Sequence, residues 1–304
     1  MPRMKTVRSL LALAGLAALC GGALLTAIMA GDAAADTRKA QAGQGPAGQG
    51  QAGQGQAKPR RIVSLNVCAD QYLLALADRE QIAGLTPNVK NPELSAAAAQ
   101  VKGLHVLGQS AEEILEIDPD LVVGMPARGS AVVTALGPQD YRLFDLADAE
   151  NYAEITVQMR RIAAAIGQRE RGEAVIADMK RQLAALPRAG AGRVAAYYQR
   201  RGYLTGTGTL VDDLMQRTGL VNLAQRLGKP TIAHLSLEEL VAARPDFIIV
   251  ESATDRVMDQ GTEMLHHPAL KDIPRIRLPQ AWTVCGGPAY VRAARSLAAQ
   301  LGAF

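Results

Sequence analysis

The chain has 304 residues, of which 48% are hydrophobic, 20% are charged and 4% are aromatic. This balance is ordinary for a globular protein, and with so few aromatic residues the core must be built mainly from Ala, Leu, Val and Ile. The formal net charge is +4, and the first 35 residues hold three basic residues and one acidic residue, which leaves +2 on residues 36–304. So small a charge gives no support to nucleic-acid binding.

Residues 1–35 have the layout of a secretory signal peptide. Basic residues precede an apolar run from Leu10 to Ala30, and the small residues Ala33 and Ala35 predict cleavage after Ala35. The run is long enough to span a bilayer, so a retained membrane anchor is the alternative. Residues 36–59 contain a Gly/Gln/Ala repeat without an apolar face, which indicates a flexible linker.

From residue 60 onwards, short aliphatic runs alternate with helical segments. "RIVSLN" (61–66) predicts a strand that ends in a loop, "DQYLLALA" (70–77) a helix, and "DLVVG" (120–124) a further strand. This alternation argues for an α/β unit with a largely parallel sheet. The pattern restarts with "RVAAYYQ" (193–199) and "DFIIVE" (246–251). The predicted fold class is therefore α/β, with two similar lobes.

Two helical segments separate the lobes. Apolar residues recur at helical spacing over residues 152–166 and again over residues 168–186, before Pro187 ends the second segment. The predicted organisation is an N-terminal α/β lobe over residues 60–167, one long connecting helix over residues 168–187, and a C-terminal α/β lobe over residues 188–304.

One short motif occurs once in each lobe. "SAEEILEIDPDLVVG" (110–124) aligns without gaps to "SLEELVAARPDFIIV" (236–250), and Ser, both Glu, Pro and Asp coincide. In each copy Ser is followed three residues later by Glu, which predicts a capping box at a helix start. Glu112 and Glu238 are not needed for capping and should point outward. They either have a special role there or are simply exposed to solvent.

The duplicated motif, together with "RIVSLN", "LTGTGTLVDDLMQRTGLVN" (204–222) and "WTVCGGPAYVRAARSLAAQL" (282–301), resembles the periplasmic binding proteins of iron-siderophore and cobalamin ABC importers. The resemblance covers residues 60–304. It implies that a ligand lies in a cleft between the lobes, that Glu112 and Glu238 dock onto a permease dimer with its ATPase, and that the protein is a periplasmic monomer.

The resemblance also implies that the loops at the strand ends contact the ligand, a metal chelate. Siderophore and cobalamin are the two main alternatives for this ligand, and haem is the third. The predicted ligand-binding residues are Asn66, Cys68, Asp70, Met125, Arg128, Tyr203, Thr205, Thr207, Trp282, Cys285 and Tyr290.

Signatures of catalysis, phosphate loops and zinc sites do not occur in the sequence. The four histidines show no spacing typical of a site for a bare metal ion. We therefore predict no catalytic residue, no metal site and no cofactor. A secreted enzyme on the same α/β scaffold is the alternative function.

Removal of the leader would take away Cys20 and leave Cys68 and Cys285, an even number for an oxidising compartment. Both cysteines follow a predicted strand, in loops that the family resemblance places at the cleft. They could form a disulfide between the lobes, remain two separate thiols, or act as soft ligands of the bound metal.

Overall fold

The strands form where short aliphatic runs are bounded by polar or glycine residues. The computed structural model describes residues 57–108, 110–137 and 141–304, and over these ranges eight of the ten strands assemble into two four-stranded parallel sheets. The predicted leader with Cys20, and the linker up to residue 56, lie outside the described residues.

The first sheet and its helices lie in the N-terminal half of the folded region. Its strands are β1 (Ile62–Ser64), β2 (Ile82–Gly84), β3 (Leu121–Gly124) and β4 (Leu143–Asp145), and its helices are α1 (Val67–Leu76), α2 (Ala111–Ile117) and α3 (Ala131–Ala135). Two further helices follow, α4 (Tyr152–Ala165) and α5 (Arg169–Ala184).

The second sheet comes after these two helices. In chain order the elements are β5 (Val194–Tyr197), β6 (Tyr203–Thr205), α6 (Leu210–Thr218), β7 (Val221–Asn222), α7 (Leu223–Arg226), β8 (Ile232–His234), α8 (Leu237–Ala243), β9 (Phe247–Glu251), α9 (Gln260–Glu263), β10 (Arg275–Leu278) and α10 (Tyr290–Leu301). Strands β6 and β8 form an antiparallel ribbon.

The two sheets have the same topology. The strand order is β2-β1-β3-β4 in the first sheet and β7-β5-β9-β10 in the second, with parallel pairing throughout both. The duplicated motif occupies the same place in each, since α2 leads into β3 and α8 leads into β9. The prediction of two similar α/β lobes is confirmed.

The repeated Pro-Asp pair has a structural role in both copies. The Asp120 carboxylate accepts hydrogen bonds from the backbone N–H groups of Arg60 (2.7 Å) and Arg61 (3.0 Å), directly before β1. The Asp246 carboxylate accepts the N–H of Val194, the first residue of β5, at 2.6 Å. Each aspartate thus satisfies backbone donors at the start of the neighbouring central strand.

A single hydrophobic cluster is shared by the inner faces of both sheets. It contains Ile62, Leu121 and Val123 from the first sheet together with Ala195, Tyr197, Phe247, Ile249, Ile276 and Leu278 from the second. Because side chains alternate along a strand, Val63 and Ile248 lie on the opposite faces, in two smaller clusters. Helices α1, α4, α5, α6 and α10 complete the shared core.

Helices α4 and α5 pack closely against each other at a glycine. A Cβ atom on Gly172 would lie 2.6 Å from the Cβ of Ala163, so a larger residue would separate the helices. The predicted periodicity is seen in both helices, with Ile155, Met159 and Ile162 buried in α4 and Met179 and Leu183 buried in α5. The lobe boundaries at residues 167 and 188 stay a prediction.

Candidate functional site

The carboxyl ends of both sheets meet at one seam. Cys68, in the first turn of α1 directly after β1, forms a disulfide with Cys285, in the loop between β10 and α10, with Cα atoms 5.4 Å apart. The loop after β1 of the first sheet and the loop after β10 of the second sheet therefore meet here. In open α/β sheets these loops are the usual ligand-binding elements.

Hydrogen bonds and close packing surround the disulfide. The Gln71 Nε2 lies 3.4 Å from the Cys285 Sγ, and the Tyr72 hydroxyl donates to the Gly286 carbonyl. A Cβ atom on Gly286 would lie 2.3 Å from the carbonyl oxygen of Ala149, so only glycine allows this approach of the two chain segments. Both cysteines are buried and bonded to each other, so neither is available as a thiolate ligand.

Asn66 and Asp70 occupy the first turn of α1. The Asn66 side chain caps the helix by accepting the Ala69 N–H at 2.8 Å. Asp70 is fully buried, and its carboxylate accepts the N–H and the hydroxyl of Thr86, directly after β2. Burial raises the pKa of Asp70 to about 6, although these hydrogen bonds act in the opposite direction. In this structure Asp70 joins two strand ends and is not accessible to a ligand.

Met125 and Arg128 follow β3. Met125 is half-buried, and the peptide bond to Pro126 is cis. The exposed Arg128 guanidinium pairs with Asp145 at the end of β4. Burial disfavours ionisation of Asp145, but hydrogen bonds from Arg128 and Ala127 outweigh it and hold the pKa of this carboxyl below its usual range.

The ribbon of β6 and β8 presents to solvent one face that combines aromatic, polar and aliphatic side chains. Tyr203 pairs with His234 and Thr205 with Ile232, whereas Leu204, between them, is buried. The rings of Tyr203 and His234 lie edge to face with centroids 6.0 Å apart. Tyr203 and Thr205 were expected from the sequence, whereas His234 and Ile232 were not.

Thr207 and Trp282 lie in loops of the second lobe. Thr207 is half-buried between β6 and α6. Trp282 is half-buried in the loop after β10, packs against the shared hydrophobic cluster and lies three positions before Cys285. As the only tryptophan in the sequence, it reports directly on this loop.

Tyr290 lies in the interior. The side chain is fully buried, and its hydroxyl donates to Asp213 and accepts from the Arg217 Nε at 2.9 Å. The Arg217 guanidinium also lies over the Tyr152 ring, 5.2 Å from its centroid. Burial raises the pKa of the Tyr290 phenol well above its usual range. This tyrosine packs α4 against α6 and α10 and does not face solvent.

The two motif glutamates are both exposed, each as the second residue of its helix. Glu112 lies in α2 and Glu238 in α8. Hydrogen bonds from its own backbone N–H and from the Ser110 side chain hold the pKa of Glu112 below its usual range. The two carboxylates therefore lie at matching positions on the surfaces of the two lobes.

The capping boxes differ between the copies. In α8 the predicted reciprocal pair forms, with Ser236 N–H donating to the Glu239 carboxylate at 3.1 Å and Glu239 N–H to the Ser236 hydroxyl at 3.2 Å. In α2 the Ser110 hydroxyl accepts the Glu113 N–H at 3.3 Å, but the Glu113 carboxylate binds the Gly108 N–H and lies 2.9 Å from the His105 Nε2. Both hydrogen bonds of the predicted capping box thus form in the second copy, whereas in the first copy only the serine bond forms.

Residues 57–108, 110–137 and 141–304 contain no group of three or more His, Cys, Asp or Glu side chains that could hold a metal ion. Over the same ranges, none of the helices combines the length and apolar character required to cross a bilayer.

Residues 62–277 match the family described as periplasmic binding protein. The chain belongs to this family. Membership confirms the resemblance seen in the sequence and places the chain among binding proteins rather than enzymes. Nothing in the site favours the alternative of a secreted enzyme.

This periplasmic binding protein is similar to a protein of Halobacterium salinarum that is matched in two strains. A "cobalamin-binding protein" of Halobacterium salinarum is 24% identical over 207 residues, which are 66% of this chain and 56% of the relative. The chain thus spans just over half the length of the curated relatives that it matches.

Solved structures of the family agree with the fold. The apo "periplasmic heme-binding protein RhuT" of Roseiflexus sp. RS-1 is 26% identical with a TM-score of 0.62, covering 80% of this chain and 98% of that one. The "periplasmic vitamin B12 binding protein BtuF" of Vibrio cholerae is 17% identical with a TM-score of 0.55, covering 80% and 97%. The similarity to BtuF concerns the fold alone.

Proposed function

We propose that this periplasmic binding protein captures a metal chelate between its lobes and delivers it to an ABC importer. The observation that carries the proposal is the Cys68–Cys285 disulfide, which joins the loop after β1 of the first lobe to the loop after β10 of the second. A ligand at that seam would contact both lobes at once, which is how a two-lobed protein gains affinity and selectivity.

The proposed ligand class rests on side chains of the ribbon and of the loop after β3. Tyr203 and His234 offer aromatic surface and hydrogen-bonding groups, and Arg128 offers a cationic edge. Such groups suit a large, partly apolar chelate that carries polar or anionic substituents. The relatives named for cobalamin and for haem support this class, and a ferric siderophore belongs to it as well.

A fluorescence titration of Trp282 tests the ligand class. We expect one of cyanocobalamin, haem or a ferric siderophore to quench its emission saturably, because the indole lies in the loop that carries the seam disulfide. The matched controls are the metal-free siderophore and a Trp282→Phe variant. This variant lacks the fluorescent indole but should still bind the chelate, as measured by the absorbance of the ligand. Saturable binding of bare Fe³⁺ but of none of the three chelates would contradict the proposal.

For delivery, the proposed partner is a permease dimer with its ATPase, met by a monomer of this protein. Glu112 and Glu238 are exposed at equivalent positions of the two lobes, as a partner with two equivalent halves requires. Arginines of the permease would form charge-assisted hydrogen bonds with these carboxylates.

The proposed location is the periplasm, with residues 1–35 removed on export and residues 36–59 as the linker. The basic start, apolar run and small-residue site support this. Mass spectrometry of the protein from the cell envelope should find Asp36 at the N-terminus. An intact Met1 would instead indicate the retained membrane anchor.

A further inference from the structure

Helices α2 and α8 bury equivalent faces. Ile114 and Leu240, which coincide in the gapless alignment of the motif, are 3% and 0% exposed. The residues three positions before and after them pack partly against the smaller clusters of their own lobes. Since residues three and four apart share a helix face, these positions define the inner face of each helix.

The outer faces are also equivalent, and each carries an apolar residue. Leu115 is 42% exposed and Val241 is 37% exposed, and the two coincide in the same alignment. Each lies three residues after the exposed glutamate of its own helix, Glu112 or Glu238, so that carboxylate and apolar side chain share one face.

Exposed apolar residues are common on protein surfaces, and one alone carries no information. Here the same combination occurs twice, 126 positions apart, in two copies that differ at neighbouring outer positions. Glu116, for example, corresponds to Ala242. The fold explains why the inner positions are apolar, whereas Leu115 and Val241 still leave 42% and 37% of their surface exposed to solvent.

We propose that Leu115 and Val241 extend the glutamate contacts into two composite docking patches for the importer, one patch on each lobe. This rests on the proposed function. Each patch combines a carboxylate with an apolar side chain about one helical turn away, and each half of the permease would present a basic side chain beside an apolar pocket.

The two components of a patch have different tasks. An exposed carboxylate attracts and orients a basic partner, and its effect is screened by salt. An apolar side chain buried in the centre of a contact adds affinity that salt does not remove. The repetition fits a partner with two equivalent halves, whereas an anionic lipid surface would be repelled by the glutamates.

Binding of the mature protein to the cognate permease–ATPase complex in lipid nanodiscs tests the proposal. The test variant is Leu115→Asn with Val241→Asn, and we expect it to weaken docking roughly tenfold, both at about 50 mM and at about 500 mM NaCl. Glu112→Gln with Glu238→Gln should weaken docking at the lower salt concentration, and its difference from the wild type should shrink at the higher one.

The matched control is Val157→Asn with Leu227→Asn, two exposed apolar residues on α4 and next to α7. It should dock like the wild type. Thermal unfolding should confirm that all variants fold. If the test variant does not, Leu115→Gln with Val241→Gln should weaken docking in the same direction, because Gln is polar yet favours the helix more than Asn does.

The outcomes separate this inference from the proposed function. If the glutamate variant docks like the wild type, docking through the glutamates fails. If the glutamate variant is weakened but the Leu115/Val241 variant matches the control, the composite patch alone is overturned. Sedimentation analysis could also show that the wild type is a dimer and that the Leu115/Val241 variant is a monomer. The patches would then bind a second copy of the chain, and the inference would be overturned.

Discussion

Loss of the disulfide between Cys68 and Cys285 should destabilise the protein strongly. The two cysteines are 217 residues apart in the sequence, so the bond closes most of the folded chain into one loop. For a loop of this length the chain-entropy relation gives about 5 kcal/mol at room temperature, because the bond restricts the unfolded chain far more than the folded one. The Cys68→Ala and Cys285→Ala double variant should lose about this amount of unfolding free energy.

Equilibrium unfolding in urea, compared between the wild type and the double variant, measures the effect. Thiol titration must come first: the denatured, unreduced mature protein should show no reactive thiol, and the reduced protein should show two. The control is Gln71→Leu, which removes the side-chain contact to the Cys285 sulfur but keeps the bond, and which should cost about 1 kcal/mol.

Two free thiols before reduction would refute the bond itself. A bond that is present but whose removal costs no more than the Gln71→Leu control would refute the entropic reasoning. In that case the contacts of Tyr72, Gly286 and Ala149 would already hold the seam together without a covalent link.

Three further predictions concern docking, pH dependence and the ligand. Glu112→Arg with Glu238→Arg should abolish transport while ligand affinity stays within about twofold, because like charges would then face each other in the complex; persistent transport would leave the glutamates with no docking role. The buried Asp70 holds its proton more tightly in the folded state, because its pKa rises from 3.8 to about 6. The unfolding free energy of the wild type should therefore fall by about 3 kcal/mol relative to Asp70→Asn as the pH rises through this range. Parallel pH profiles of the two proteins would contradict this. Arg128→Ala with Tyr203→Ala should weaken the chelate at least tenfold in a fluorescence titration, whereas unchanged affinity would remove both residues from the site.

The duplicated motif was the most informative part of the sequence. It predicted two similar lobes because a capped helix, a Pro-Asp pair and a buried strand follow one another directly in the sequence. Each of these parts has a local pattern that is recognisable without knowledge of the fold. The periodicity of α4 was equally clear, since Ile155, Met159 and Ile162 form one buried stripe. The role of Asp120 and Asp246 could not be read in this way, because each binds a strand that begins more than 50 residues earlier.

The candidate site was less predictable because burial depends on helix orientation. Tyr290 was expected to bind ligand from its position after the last strand, yet it is fully buried. The sequence did indicate this burial, because Tyr290 lies on the same helix face as the apolar residues Ala294, Leu297 and Leu301. His234 could not have been found from the sequence: it meets Tyr203 only through a ribbon of two three-residue strands that are far apart in the chain and share no turn.

The hydrophobic cluster shared by both sheets has a consequence for the order in which the chain becomes folded. The N-terminal lobe emerges first during synthesis. Its inner face, with Ile62, Leu121 and Val123, belongs to a cluster that is complete only after β5, β9 and β10 have been added. The final helix, α10, contributes Leu297 and Leu301 to the same cluster and is the last element of the described chain to arrive. A newly synthesised first lobe therefore lacks part of the cluster that it will share, and its apolar surface stays incompletely covered until the last turn of α10 packs into the core.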